Sequence, residues 1–215
     1  MNIVFNQSTI GHKDFKILQP KLLLVEGEDD LALFMELLGK LKINNIQAVN
    51  YKGKDRLNSA IKTLVETQPG MEKVNAIGIT RDADGENISK IFEEINNYVN
   101  RVNYLKSDKI MEFSQGKPRV GIYIFPDCEN SGELEDLLLA SLVADQKIKC
   151  IGQLLTCINT IEQQNKPAKA KLYAWMACQN PPIQLLGVAA KANVFNFGHP
   201  VFEKLRQFLD NLSSK

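Results

Sequence analysis

Residues 21–30 read KLLLVEGEDD, and this stretch decides the fold. Four apolar residues, Leu22 to Val25, run straight into Glu26, Gly27 and three more acids. A short apolar run bounded by turn residues suits a strand buried on both faces, as in a parallel sheet. Leu31, Leu33, Phe34, Leu37, Leu38 and Leu41 follow at helical spacing. Gly27 therefore falls in a tight strand-to-helix turn, and Glu26 lies at the carboxyl end of the strand. In open α/β sheets that edge is where ligands bind.

Downstream, the same alternation repeats. Asn45–Tyr51 (NIQAVNY) alternates apolar and polar residues and predicts a half-exposed second strand. Asp55 or Asn58 can cap a helix striped by Leu57, Ile61, Leu64 and Val65. Val74–Thr80 (VNAIGIT) predicts a third strand, ending in Arg81-Asp82-Ala83-Asp84-Gly85. Ile88, Ile91, Phe92, Ile95 and Val99 mark the next helix, whereas residues 101–118 show no clear period. Arg119–Phe125 (RVGIYIF) predicts a fourth strand, ending at Pro126-Asp127. Asn130 or Ser131 is placed to cap a helix with Leu134, Leu137, Leu138 and Val143 on its core face. Such an order implies an α/β fold, a parallel four-stranded Rossmann-like sheet with helices on both faces.

From about Lys147 the strands stop. Ile151–Ile161, Lys169–Gln179 and Val201–Leu212 carry helical patterns. The expected organisation is an α/β domain over residues 1–145 and a helical extension over 146–215, packed on it as one structural unit. In the weakly patterned start, Ile3 and Phe5 suit a short edge strand or an ordered arm.

Composition narrows the function by distribution rather than by total. Net charge is +1 over 215 residues, so bulk charge predicts neither nucleic-acid nor membrane attraction. Yet three short knots hold 12 of the 25 acids: Glu26, Glu28, Asp29, Asp30; Asp82, Asp84, Glu86; and Asp127, Glu129, Glu133, Glu135, Asp136. Like charges gathered at strand ends repel unless a cation compensates them. Asp82 and Asp84, two apart at a strand end, can converge on one ion. Magnesium prefers hard oxygen ligands and keeps much of its water, so two or three carboxylates suffice, and manganese is an equivalent choice. Such an ion bridges phosphates and stabilises the charge that develops in phosphodiester cleavage. Close packing of acids would also raise the pKa of one of them, which suits Glu26 to proton transfer. Lys52, Lys54 and Arg56 follow the second strand on the same sheet edge and are candidate phosphate contacts.

The four cysteines form no Cys-x-x-Cys pair and there are two histidines, a poor basis for zinc. Cys150 and Cys157 are expected in the core and Cys128 partly exposed. No basic-then-apolar signal opens the chain, and no apolar run approaches the roughly 18 residues of a membrane span. The expectation is a cytoplasmic protein with reduced thiols and no membrane partner.

VEGEDD followed by DADG resembles the Toprim domain, shared by topoisomerases, bacterial primases, recombination-associated proteins and nucleases of the overcoming-lysogenization-defect class. The likeness covers roughly residues 20–145. It implies that Glu26 is a general acid/base, that Asp82 and Asp84 bind metal, and that Asp30 is the trailing acid of the VEGxxD motif. Pro126-Asp127, Gly132-Glu133-Leu134-Glu135-Asp136 and the segment from Lys169-Ala170 through Trp175, Ala177, Gln179 and Pro182 look like an uncharacterised Toprim-related bacterial family of stand-alone proteins. That match favours Glu135 and Asp136 as further metal ligands.

These acids have other uses. Asp84 can cap the helix after the third strand, and Glu133, Glu135 and Asp136 suit a helix N-terminus by charge alone. Trp175 shares a helical face with Leu172 and Met176 and fits a core better than a base-stacking platform.

The resemblance implies metal-dependent phosphodiester chemistry on nucleic acid, as a nuclease or phosphotransferase. The alternative is a non-catalytic metal- or nucleic-acid-binding module of a defence or repair assembly. A homo-oligomer or another protein partner is compatible with either. A receiver-like signalling domain also carries acids after its first and third strands. It needs a fifth strand followed by lysine, where this chain turns helical. For Glu26 and the Asp82/Asp84 pair to share an ion, the first strand must lie beside the third. The second strand then lies outside the first, and the fourth outside the third.

Overall fold

The computed structural model describes residues 8–214. Its centre is a four-stranded, wholly parallel sheet of order β2-β1-β3-β4. The strands are β1 (Lys21–Val25), β2 (Ile46–Asn50), β3 (Ala76–Asp82) and β4 (Arg119–Phe125). Between and after them run α1 (Glu28–Lys40), α2 (Leu57–Thr67), α3 (Ile88–Arg101) and α4 (Leu134–Ala140). A helical extension then adds α5 (Gln146–Asn159), α6 (Pro167–Ala177), α7 (Leu186–Lys191) and α8 (Glu203–Ser213). Fold class and strand order are those the sequence leads one to expect.

The continuous apolar strands serve two layers. Leu22 and Leu24 pack with α2 and α3 through Leu57, Ile61, Ile91 and Ile95. Leu23 and Val25 point the other way, into a cluster with Phe34 of α1, Leu138 of α4, Trp175 of α6 and Phe208 of α8. The extension thus shares a core with the sheet, and each large apolar side chain so buried contributes about 1.5–3 kcal/mol.

A bare patch seats α8. Gly78 and Gly121 are register partners across β3 and β4. A Cβ at Gly78 would lie 2.9 Å from Leu212 and 3.2 Å from Phe208. At Gly121 it would lie 2.7 Å from the Phe113 ring. Phe113 and Phe208 stack there with centroids 5.3 Å apart. At the far end of α8, the Ser213 and Ser214 carbonyls accept from the buried Lys21 ammonium, the latter at 2.6 Å.

Several local expectations are corrected. β2 is buried throughout, because the segment before β1 covers it: Gln47 Nε2 donates to the Lys16 carbonyl at 2.8 Å, and Thr9 bridges to Asn50. α2 has no side-chain cap and is entered through a 3-10 turn at Lys54–Arg56. α3 is capped by Asn87, whose side chain accepts from Lys90 N–H, so Asp84 is not spent on capping. α4 begins at Leu134 with Glu133 as its N-cap, and it stops at Ala140, leaving Val143 exposed. Residues 111–114 run along the open edge of β4, with Met111 and Ser114 N–H donating to its carbonyls. Cys150 and Cys157 are exposed on α5, whereas Cys128 is buried. Trp175 is a core residue. Ile3 and Phe5 lie outside the described residues. No helix among the described residues is long and apolar enough to cross a membrane.

Candidate metal centre

The chain leaves β1 towards β2 on one side and returns to β3 on the other. This topological switch opens a crevice at the carboxyl ends of β1 and β3. A cavity of about 540 Å³ occupies it, lined among others by Glu26, Asp30, Lys52, Asp82, Glu133, Glu135, Lys166 and Lys169.

Glu26 sits one residue beyond β1 and is held from the β2 side. Lys54 N–H donates to its Oε1 at 3.2 Å, and the Tyr51 hydroxyl lies 3.4 Å from Oε2. That hydroxyl donates to the Thr80 carbonyl at 2.9 Å, tying β2 to β3 beneath the site. Burial pushes the Glu26 pKa up, and the Asp84 charge adds to this. Asp30, in the first turn of α1, accepts from Gly27 N–H at 3.3 Å. Burial, then the charges of Glu26 and Glu135, push it up to about 7.

Asp82 is the last residue of β3, and its Oδ1 accepts from Leu134 N–H at 3.0 Å. That bond fixes the carboxylate against the start of α4. Burial and the neighbouring Asp30 and Glu26 push Asp82 up to about 9. Asp84 follows in a turn at φ +48°, and its own N–H and that of Ala83 both donate to the Gly132 carbonyl. The β3 and β4 loops are thereby joined, which brings Glu133 beside the Asp82/Asp84 pair.

Oxygens of Asp82, Asp84 and Glu133 all lie within 4.8 Å of one another. The donor set is carboxylate only, and opposite ligands of a magnesium ion stand about 4 Å apart, so the three fit a small hard cation. Glu135, buried behind them with a raised pKa, extends the acidic wall.

The outer rim is basic. Lys54 Nζ lies 3.2 Å from Asp84 Oδ2, and Lys166 Nζ lies 2.6 Å from Asp84 Oδ1 and 3.2 Å from Glu133. Burial alone would raise the Asp84 pKa, but hydrogen bonds from Lys166 and Lys54 hold it below the usual carboxylate range. Lys169 lies 3.7 Å from both Asp29 and Glu135, and the Tyr173 hydroxyl donates to Asp29 at 2.6 Å.

The crevice therefore gathers Glu26, Asp30, Asp82, Asp84 and Glu135, all expected from sequence. Asp136 is placed differently: its Oδ2 accepts from Glu133 N–H at 2.8 Å, closing the first turn of α4, and Glu133 takes the position beside the aspartates. Of the basic trio, Lys52 lines the cavity, Lys54 pairs with Asp84, and Arg56 is exposed in the 3-10 turn. The third acidic knot divides, since Asp127 closes its own turn with Asn130 and Glu129 pairs with Lys204 at 2.7 Å. Tyr51, Lys166, Lys169 and Tyr173 are the residues that sequence reasoning did not place in the site. The clustered acids themselves were the one available signal that nearby cations had to exist.

No curated protein matches the chain. Among solved structures, it is similar to the crystal structure of a hypothetical protein from Pyrococcus horikoshii OT3, with a TM-score of 0.58 and 17% identity over 91% of this chain and 95% of that one. That likeness shows the fold. Residues 20–214, which include every acid of the crevice, match a protein family of unknown function, and the chain belongs to that family, DUF3226.

Proposed function

We propose that this is a Toprim-type protein that carries out magnesium- or manganese-dependent phosphodiester chemistry on nucleic acid. The observation that carries the reading is the clustering of Asp82, Asp84 and Glu133 at the end of β3, beside Glu26, which follows the adjacent strand β1 and lines the same cavity as Asp82 and Glu133. Asp82, Asp84 and Glu133 would hold the cation, with Asp30 and Glu135 behind them. A bound divalent ion would neutralise a substrate phosphate and polarise its phosphorus–oxygen bonds. Glu26, desolvated and held by the Lys54 N–H, is suited to give or take the proton. Lys52, on the open side of the cavity, is positioned for a phosphate. The exposed and unpaired Cys150, Cys157 and Cys178 support a reducing, cytoplasmic setting.

The test compares wild type with Glu26→Gln on single- and double-stranded DNA and RNA, with magnesium and with manganese. Loss of a general acid/base should lower cleavage by about 10²–10⁴-fold while nucleic-acid binding persists. Equal cleavage by both proteins would remove Glu26 from the proton role.

One observation favours the non-catalytic binding module as a second reading. Lys54 and Lys166 already neutralise Asp84, so the outer half of the site is satisfied without an ion. Wild-type protein inert on every substrate, yet binding nucleic acid with steep salt dependence, would select that reading.

A further inference from the structure

We infer that Lys166 is a tethered competitor for the metal: its ammonium stands in for the cation between Asp84 and Glu133, and metal loading releases it. The inference rests on the metal reading proposed above. Two of the three candidate ligands, Asp84 and Glu133, are the two acids that Lys166 bridges, at 2.6 and 3.2 Å. An ammonium makes hydrogen bonds of that length, whereas magnesium binds oxygen at about 2.0–2.1 Å and carries two charges. Asp84 already shares its other oxygen with Lys54, so a divalent ion taking the Asp84 and Glu133 oxygens that Lys166 holds would meet the ammonium within a few ångströms and repel it.

The surroundings let Lys166 leave without unseating its helix. Lys166 precedes Pro167, the first residue of α6, and its side chain is about half exposed. The helix is anchored separately, by Tyr173 and Lys169 on Asp29 and by the buried Leu172, Trp175 and Met176. Lys54 holds the opposite oxygen of Asp84 and also pairs with Glu86. Lys166 thus sits at the free end of a fixed helix, with solvent on one side and the metal ligands on the other. Displaced, it remains at the mouth of the cavity, where a phosphate would meet it. Metal occupancy and a free basic group at the rim are then one equilibrium.

The experiment measures manganese affinity of the whole protein by titration calorimetry in wild type, Lys166→Gln and Lys62→Ala. The last removes an exposed charge that pairs with Glu66 on α2, away from the site. Lys166→Gln should bind manganese roughly fivefold tighter, the equivalent of one partly exposed ion pair no longer broken, and Lys62→Ala should match wild type. In wild type, manganese should also make Lys166 react faster with an amine-acylating reagent, read by mass spectrometry, while Lys169 stays unchanged. Unchanged or weaker binding by Lys166→Gln would overturn the competition while leaving the metal site standing. Absence of manganese binding in all three proteins would overturn both the site and the competitor.

Discussion

Arg81 and Asp82 are consecutive on β3 and leave opposite faces of the sheet. Arg81 is buried on the side of α2 and α3, where its guanidinium pairs with Glu94 at 2.7 Å and Glu86 at 3.2 Å. Asp82 is turned towards α4 among Asp30, Glu26 and Glu135, and among the described residues it has no ion-pair partner. One face neutralises its charge within the fold. The other leaves like charges together and holds them partly as neutral acids. The difference separates a charge paired within the fold from charges that, on the reading proposed above, await a cation.

The comparison is broken most directly by removing the arginine. Arg81→Met should destabilise the protein by about 3 kcal/mol, near the low end for breaking a buried pair because both glutamates are partly exposed. Denaturant unfolding would show it; a loss under about 1 kcal/mol would deny the pair its structural role.

Asp82→Asn should do the reverse. The amide oxygen can still accept from Leu134 N–H, and the amide, like the protonated acid it replaces, adds no charge beside Asp30 and Glu26 and cannot ionise as pH rises. Metal-free stability should stay level or rise by about 1 kcal/mol, while the shift in Tm caused by manganese disappears. A clear fall in the metal-free Tm would make Asp82 structural, like its neighbour.

The pH dependence sharpens the same contrast. Asp30 and Asp82 hold their protons up to about 7 and about 9 in the fold, against the 3.8 of an unperturbed aspartate. A carboxyl raised in this way stabilises the folded state at low pH and loses that contribution as pH climbs through the folded value. Metal-free Tm should therefore fall between pH 5 and pH 9, by about 3 °C for each kcal/mol lost. The fall should be smaller in Asp82→Asn. Manganese should restore more stability at pH 9 than at pH 5, since only the ionised acids bind it. A metal-free Tm that rises over that range would contradict the assigned protonation.

The smallest effect belongs to Arg56→Ala. An exposed residue outside the cavity should change stability by less than about 0.5 kcal/mol. By contrast, Lys52→Ala should reduce the salt slope of nucleic-acid binding by about 1. Equal slopes for Lys52→Ala and wild type would take Lys52 off the phosphate path.

Much of this site was readable because parallel sheets bind at one edge, and Glu26, Asp82 and Asp84 were already at strand ends. Asking that they share an ion was enough to order the strands. Glu133 and Asp136 were not separable in that way. They are three apart on one helical turn, and which of them reaches the crevice depends on where α4 begins, a matter decided by the Asp82–Leu134 hydrogen bond between distant loops. Lys166 lies 82 residues from Asp84, and no local pattern marks such a partner. The second strand misled for a related reason: the polar Gln47 and Asn50 suggest solvent, but backbone groups satisfy their side chains, the Lys16 carbonyl and Leu18 N–H for Gln47 and the Lys52 N–H for Asn50.

The seat of α8 on the Gly78–Gly121 patch has a consequence for how the chain is made. Lys21 and Ser214, which close that contact, are 193 residues apart. On the ribosome, β1, β3 and β4 emerge long before residues 203–213 can cover them. Until then Leu23, Tyr123 and the Gly78–Gly121 patch lack the Phe208 and Leu212 that pack on them in the finished fold. Transiently exposed apolar surface of this kind is prone to aggregate, so the sheet is most vulnerable in the interval before α8 arrives.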